Sequence, residues 1–116
     1  MAVFLIILLS FSLFLNPVVA QDDDVVITIK GGFLMKFSIE NNGNETVFAD
    51  FNVTARGLRN DFKNTGDDIP IESDGTFFYR LSIHYLAFIS VSVDVEGHGS
   101  LTRKGINFMY FVIFLT

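Results

Sequence analysis

The chain has 116 residues, of which 50% are hydrophobic and 18% are charged, and it carries a formal net charge of −5 and no cysteine. This length favours a single domain with one core. The acidic balance excludes a nucleic-acid-binding surface that neutralises phosphates, and the lack of cysteine excludes a fold held together by disulfides.

The first 20 residues, MAVFLIILLSFSLFLNPVVA, contain no charged side chain. The apolar stretch from Ala2 to Leu15 is shorter than the about 20 residues that cross a bilayer as a helix. A helix-breaking Asn-Pro and then Val-Val-Ala follow it, which suits cleavage by signal peptidase after Ala20. We predict a cleaved signal peptide at residues 1–20 and a secreted or cell-surface protein with no membrane span in the mature chain. Because no Lys or Arg precedes the apolar stretch, an uncleaved anchor is the alternative.

The remaining chain shows the hydrophobic rhythm of strands. Residues 21–24, QDDD, place three carboxylates side by side and are predicted to form a disordered acidic leader. From residue 25 onwards apolar and polar residues alternate, so each segment has one face for the core and one for water. The alternating segments are VVITIK at 25–30, FLMKFSIE at 33–40, VFADFNVTAR at 47–56, TFFYRLSI at 76–83 and AFISVSVDVE at 87–96.

Residues that favour chain reversal separate these segments. LRNDFK at 58–63 is interpreted as a short strand with Leu58 and Phe62 as its apolar contacts, and NTGDD at 64–68 as a polar turn. We predict an all-β fold, an immunoglobulin-like sandwich of about seven antiparallel strands that forms one domain at residues 25–116. Its clearest turns are predicted at Asn42-Gly43, Ser73-Asp74-Gly75 and Gly97-His98-Gly99.

The last eleven residues, INFMYFVIFLT, are almost entirely apolar. As a helix they would span only about 16 Å, half of a bilayer core, whereas as one strand they would reach about 36 Å. A strand that is apolar on both faces needs a cover for its outer face, so we predict an association surface for a protein partner or a second copy. Its residues are Met109, Phe111 and Ile113, together with exposed Phe48, Phe78 or Phe88.

Two asparagines match the acceptor pattern for N-glycosylation, in Asn44-Glu45-Thr46 and Asn52-Val53-Thr54. Asn44 lies in a predicted turn and is the better acceptor, because Asn52 lies in the middle of a predicted strand. The alternative for Asn44 is a turn residue that hydrogen-bonds its own backbone.

Other chemical sites are weakly indicated. His84 and His98 have no second donor at ligand spacing, and GHGSL at 97–101 lacks the flanking residues of a nucleophile elbow. We therefore predict a protein that is not an enzyme and has no cofactor. The loop at 67–74 is predicted as a solvated acidic loop, with a weak calcium site as the alternative. Its carboxylates are Asp67, Asp68, Glu72 and Asp74.

The order of four segments resembles a known family. IKGGFLMKFSIENNGNETV, IPIESDGTFFYRLSI, LAFISVSVDVEG and RKGINFMYFVIF are similar to secreted immunoglobulin-like domains of exported archaeal and bacterial proteins. Among these are the cell-adhesion-related CARDB-type domains, which carry a "strand, Asn-x-Gly, strand" signature. Asp74-Gly75 stands where that family often has Pro-Gly, and the lack of a Cys pair and of Trp argues against an antibody-type domain.

The resemblance implies a function without catalytic residues. Domains of this family act as spacers or adhesive modules, so we expect an exported structural or adhesive module at the cell surface. The alternative is an extracellular binding module that recognises a glycan, a peptide or a protein partner through loops such as residues 57–68.

Overall fold

The computed structural model describes residues 18–21 and 24–116. These residues form ten β-strands and no helix. The strands are β1 (Val18–Gln21), β2 (Val25–Lys30), β3 (Gly32–Phe33), β4 (Lys36–Asn41), β5 (Val47–Gly57), β6 (Asp61–Ile71), β7 (Thr76–Arg80), β8 (Ala87–Val95), β9 (Gly99–Phe108) and β10 (Phe111–Phe114).

The strands form two antiparallel sheets. The first has the order β1-β2-β4-β7, and the second has the order β3-β10-β9-β8-β5-β6. Their inner faces pack against each other, since the Phe37 ring of the first sheet lies 5.3 Å from the Phe51 ring of the second. The predicted all-β architecture of layered sheets is confirmed.

The two-residue rhythm explains which side chains form the core. Successive side chains of a strand point to opposite faces, so alternate apolar residues bury themselves between the sheets. Each fully buried aliphatic or aromatic side chain stabilises the fold by about 1.5–3 kcal/mol relative to exposure. The buried residues of four strands are Val25, Ile27 and Ile29 of β2, Phe37 and Ile39 of β4, Ala49, Phe51, Val53 and Ala55 of β5, and Ile89, Val91, Val93 and Val95 of β8.

The segment FLMKFSIE does not form the single strand that its alternation predicts. Leu34 has a positive φ of 58° and breaks the run, so that Phe33 belongs to β3 of the second sheet. Phe33 pairs there with Phe111 and is 66% exposed. The prediction that residues 33–40 form one strand with a single core face, with Phe33 on that face beside Met35 and Phe37, is therefore wrong for Phe33.

The region after β5 also differs from its prediction. Leu58 lies outside any strand and is 94% exposed, and β6 begins only at Asp61. β6 runs through the predicted turn NTGDD, where the register to β5 shifts. Ala49 opposes Ile69 but Phe51 opposes Gly66, so a bulge absorbs the polar residues that the sequence presents as a turn. The predicted binding loop at 57–68 is therefore mostly strand.

The last eleven residues form a hairpin, not one long strand. β9 ends at Phe108, Met109 and Tyr110 turn the chain, and β10 returns along β9 with Phe111 opposite Phe108. Gly105 allows this close approach, because a Cβ at this position would lie 2.7 Å from the Phe114 Cα. The prediction of one strand of about 36 Å is therefore wrong. The turn could not be predicted from the sequence, because Met109-Tyr110 contains no glycine, asparagine or proline.

The two sheets share two common ends. β2, β5, β7 and β9 all finish at the end where the β9–β10 hairpin turns, which we call the hairpin end. The connection between β7 and β8 ties the sheets together there, since Leu81 N donates to Met35 O at 2.8 Å and Tyr110 N donates to Ile83 O at 3.0 Å. β4, β6 and β8 finish at the opposite end.

One buried cation closes the space between the sheets. Arg103 points inward from β9, with its guanidinium 4.5 Å from the centroid of the Phe114 ring. Its Nε donates to Thr116 O at 3.0 Å and its Nη1 donates to Ile29 O of the first sheet at 3.3 Å. Desolvation by burial lowers the pKa of Arg103 below its ordinary value. The side chain therefore links both sheets to the end of the chain.

The N-terminal predictions fall mainly outside the described residues. Residues 1–17, 22 and 23 are not described, whereas β1 pairs with β2 in a register that places Val18 opposite Ile29. Cleavage after Ala20 would leave only Gln21 of β1. Across the described residues 18–21 and 24–116, no helix is long and apolar enough to cross a membrane.

The turn between β4 and β5 depends on a buried asparagine. Asn41 Nδ2 donates to Glu45 O at 2.7 Å and to Ile71 O at 2.9 Å, while its Oδ1 accepts from Gly43 N at 3.0 Å. Replacing Asn41 with alanine leaves these backbone groups without a partner. We expect a loss of about 2 kcal/mol in the free energy of unfolding, measured by urea denaturation.

The neighbouring Asn42 provides the matched control, because its side chain is exposed. Asn42→Ala is expected to change the free energy of unfolding by less than about 0.5 kcal/mol. Equal losses for Asn41→Ala and Asn42→Ala would show that the buried amide does not hold the turn.

Candidate interaction surface

The outer face of the second sheet is apolar near the hairpin end. Phe33 opposes Phe111 across β3 and β10, and Phe111 opposes Phe108 across β10 and β9. Residues that are directly opposite share a face, so these rings form one row. Because Phe33 is 66% and Phe108 is 58% exposed, the row faces outward.

A second apolar row runs beside the first. Ile113 opposes Ile106, and Ile106 opposes Phe88, which is 71% exposed. Phe88 and Ile106 line a recess of about 280 Å³ with the exposed Leu58 and Leu86. The two rows and this recess therefore form a continuous apolar area instead of scattered single residues.

The hairpin turn adds further apolar groups at the tip. Met109 and Tyr110 have φ values of 49° and 69°, and positive φ at both central residues is the geometry of a type I′ turn. Such turns favour Asn-Gly, whereas this one presents a methionine that is 64% exposed and a tyrosine. The Tyr110 ring contacts Phe33 at 6.5 Å and His84 at 6.2 Å between centroids.

We call this area the apolar end surface. The three exposed phenylalanines alone present about 400 Å² of ring and side-chain area, and the leucines and the tip enlarge it. The largest apolar patch of a typical monomer covers about 300–600 Å² and is often functional. The exposed residues of the surface are Phe33, Leu58, Leu86, Phe88, Phe108, Met109 and Tyr110.

The structure brings together most of the residues predicted for an association surface. Phe48 is exposed at the opposite end of β5, and Phe78 is exposed on the outer face of the first sheet, so neither belongs to it. Phe111 and Ile113 lie half-buried in its rows. The residues that meet are Met109, Phe111, Ile113 and Phe88. That they bind a partner stays a prediction.

Basic side chains lie at the hairpin end on the outer face of the first sheet, on the other side of the sandwich from the apolar rows. Lys30 opposes Lys36 across β2 and β4, and Lys36 opposes Arg80 across β4 and β7. All three lie at the hairpin end, in one row of like charges. Like charges directly opposite each other destabilise a sheet by cross-strand repulsion.

The second sheet adds two more cations at the same end. Arg56 lies at the end of β5 and borders the recess with Leu58 and Leu86, and Arg59 is exposed in the loop that follows. Asp61, which opposes Arg56, is the only carboxylate at this end among the described residues. The hairpin end is therefore cationic although the whole chain has a net charge of −5.

The remaining described carboxylates lie toward the opposite end. They come from its turns and from the strand halves nearest to it. These residues are Asp24, Glu40, Glu45, Asp50, Asp67, Asp68, Glu72, Asp74, Asp94 and Glu96. The charges of the sandwich are consequently segregated: the hairpin end is cationic and apolar, and the opposite end is anionic.

The opposite end carries the predicted glycosylation turn and a cleft. Asn44 is exposed beside a cleft of about 670 Å³ that is also lined by Glu45, Glu96 and His98. Asn52 is exposed on β5 and lies between Thr65 and Ser92 of the neighbouring strands. Both asparagines are thus accessible, and their glycosylation stays a prediction.

The described part of the chain contains no group of three or more His, Cys, Asp or Glu that could hold a metal ion. The predicted acidic loop is divided, because Asp67 and Asp68 belong to the bulge of β6 and the other two carboxylates follow β6. Asp68 contributes its backbone instead, since Asp68 N donates to Asp50 Oδ1 of β5 at 2.7 Å. The calcium alternative gains no support from this arrangement.

Sequence reasoning missed the basic flank entirely. Lys30, Lys36 and Arg80 are widely separated in the chain, and only the strand pairing brings them together. Lys30 ends its predicted segment, but Lys36 and Arg80 lie inside theirs, so the alternation alone does not place the three residues at one end.

No protein-family model matches the chain, and no curated protein or solved structure is significantly similar to it. The resemblance to cell-adhesion-related domains therefore stays a prediction. Functional conclusions for this chain depend on the apolar end surface and on the charge distribution around it.

Proposed function

We propose that the chain is an exported, non-enzymatic, immunoglobulin-like module with a structural or adhesive role at the cell surface, attached through the apolar end surface. The observation that carries this proposal is the continuous apolar area on a sheet face that otherwise bears polar residues. Packing in the core would account for large apolar side chains, but Phe33, Phe88 and Phe108 are exposed to solvent. Apolar patches of this size are often functional.

The strand order supports the immunoglobulin-like part of the proposal. β2-β4-β7 faces β9-β8-β5, which corresponds to strands A-B-E facing G-F-C in immunoglobulin-type sandwiches. β6 lies beside β5, in the position of the additional strand C′. The chain departs from that pattern where β10 and β3 extend the second sheet beyond β9.

A second candidate function is a binding module at the opposite end. The cleft of about 670 Å³ beside Asn44 favours it, because it joins carboxylates, an amide and His98 in one concave site. A cationic or polyhydroxylated ligand matches this lining. The apolar end surface has no role in this alternative, so the two functions are separable by mutation.

Export and attachment can be tested in one bacterial expression experiment. The exported protein is expected to begin at Gln21 by N-terminal sequencing and to remain with the cell envelope. A Phe88→Ser/Phe108→Ser variant is expected to be released into the medium, whereas Phe78→Ser on the other sheet stays attached. A cytoplasmic protein that retains residues 1–20, or equal attachment of all three proteins, would contradict the proposal.

A further inference from the structure

We propose that the apolar end surface docks on an anionic lipid bilayer, with the hairpin tip in the membrane interface and the flanking cations on lipid headgroups. This inference rests on the proposed function and names the partner of its surface. It follows from three observations at the hairpin end. Apolar side chains are exposed there, the backbone of the turn has positive φ at bulky residues, and cations collect there while most carboxylates lie at the opposite end.

The apolar groups have the arrangement that an interfacial segment requires. The tip residues Met109 and Tyr110 form the turn between β9 and β10 at the hairpin end, and Phe33 and Phe108 lie next to them on one face. Tyrosine and phenylalanine place large apolar area into the interface, and tyrosine keeps its hydroxyl among headgroups. A bilayer accepts this convex tip without needing a matching pocket.

The backbone at the tip is held in a conformation that its residues disfavour. Leu34, Met109 and Tyr110 have φ values of 58°, 49° and 69°, in a region that bulky side chains rarely adopt. Hydrogen bonds fix it, since Leu34 N donates to Tyr110 O at 2.7 Å. Strain of this kind is retained where the side chains have a role. Large apolar residues are kept where Asn-Gly would fold more readily.

The charge distribution gives the orientation. Lys30, Lys36 and Arg80 lie on one flank of the tip, and Arg56 and Arg59 lie on the other. Basic residues near an anionic membrane surface each strengthen binding. Anionic headgroups would also relieve the repulsion within the cationic row of the first sheet. The carboxylates at the opposite end then point away from the membrane, where they are not repelled.

A second copy of the chain satisfies these observations less well. Symmetric pairing of two apolar end surfaces would bring Arg56 and Arg59 of both copies together and would leave the cationic row on the outer face of the first sheet without a partner of opposite charge. Head-to-tail pairing would match the charges, but the opposite end exposes mainly carboxylates and offers Phe48 as its exposed large apolar group. An anionic bilayer matches both the charge and the apolar area.

Vesicle binding of the purified exported protein tests the inference. Co-sedimentation with mixed phosphatidylcholine–phosphatidylglycerol vesicles is expected to exceed that with phosphatidylcholine vesicles by at least tenfold in affinity and to weaken as salt rises. Lys30→Glu and Met109→Ser/Phe108→Ser are each expected to weaken binding about tenfold or more. Phe48→Ser at the opposite end is expected to bind like the wild type.

Circular dichroism of every variant confirms that each one is folded, and sedimentation velocity without lipid reports self-association. Equal binding by wild type, Lys30→Glu and Met109→Ser/Phe108→Ser would overturn the inference, as would no preference for the anionic vesicles. Oligomers that these substitutions dissociate, without vesicle binding, would assign the surface to a second copy. Attachment to the cell envelope without vesicle binding would overturn the lipid partner and leave the proposed function standing.

Discussion

Replacing Phe37 with alanine is expected to lower the free energy of unfolding by about 3–5 kcal/mol. Phe37 is only 1% exposed and lies where the two sheets meet. Its ring stacks on Tyr79 at 5.0 Å between centroids and contacts Phe51 at 5.3 Å and Phe77 at 6.0 Å. Removing it deletes buried area and leaves a cavity that rigid paired strands cannot close. Chemical denaturation of the purified protein measures the loss.

Phe88→Ala is the matched control for this prediction. It removes the same atoms from a side chain that is 71% exposed, so the expected loss is below about 1 kcal/mol. A loss at Phe88 as large as the loss at Phe37 would mean that the outer face is covered within the monomer. That result would contradict both the described core and the exposure of the apolar end surface.

Gly105→Ala is expected to lower the free energy of unfolding by about 3 kcal/mol, because the added methyl group collides with the backbone of β10. A Cβ at Gly105 would meet Ile113 O and would lie 2.7 Å from the Phe114 Cα. Neither atom belongs to a flexible side chain, and Phe114 opposes Gly105 in the register. The whole of β10 must therefore move away from β9.

The displacement of β10 can be observed apart from the loss of stability. Amide hydrogen exchange of residues 111–114 is expected to accelerate in Gly105→Ala more than exchange in β5 and β8. Vesicle binding should fall as well, since Phe111 and Ile113 carry the apolar rows. Ser100→Ala, an exposed position of the same strand, is the control with an expected change below about 0.5 kcal/mol. Unchanged exchange in Gly105→Ala would show that the hairpin tolerates the methyl group.

The alternation of apolar residues was sufficient to predict the strands that form the core. In β5 and β8 every inward residue follows the period of two, and the structure confirms these assignments from Ala49 to Ala55 and from Ile89 to Val95. A strand that buries one face needs apolar residues at every second position, so this alternation in the sequence predicts the strand and its buried face. The assignments that succeeded are those in which one face meets the core and the other meets water.

Two breaks between strands could not be predicted, for a common physical reason. Turn prediction depends on residues that adopt positive φ easily, such as glycine and asparagine. The breaks at Leu34 and at Met109-Tyr110 use bulky residues that are held in place by hydrogen bonds from other strands. The converse error occurred at residues 64–68, where turn-like residues form a bulge within β6.

The candidate surface could be predicted only in part. Its apolar residues are conspicuous in INFMYFVIFLT, and the association surface was inferred from them. The cations that flank it come from the ends of separate strands, and their proximity depends on register alone. A net charge of −5 conceals the local excess of positive charge. Total charge therefore does not reveal the cations that the strand pairing collects at the hairpin end.

The bulge and the proline of β6 affect how neighbouring molecules can pair through their sheet edges. β6 is the outermost strand of the larger sheet, with unpaired backbone groups that invite another chain to add a strand. Pro70 lacks an N–H, and the displaced residues Asp67 and Asp68 interrupt the regular edge with two charges. Where molecules lie side by side on a two-dimensional support, this edge of the larger sheet would thus resist the addition of a strand from a neighbouring molecule.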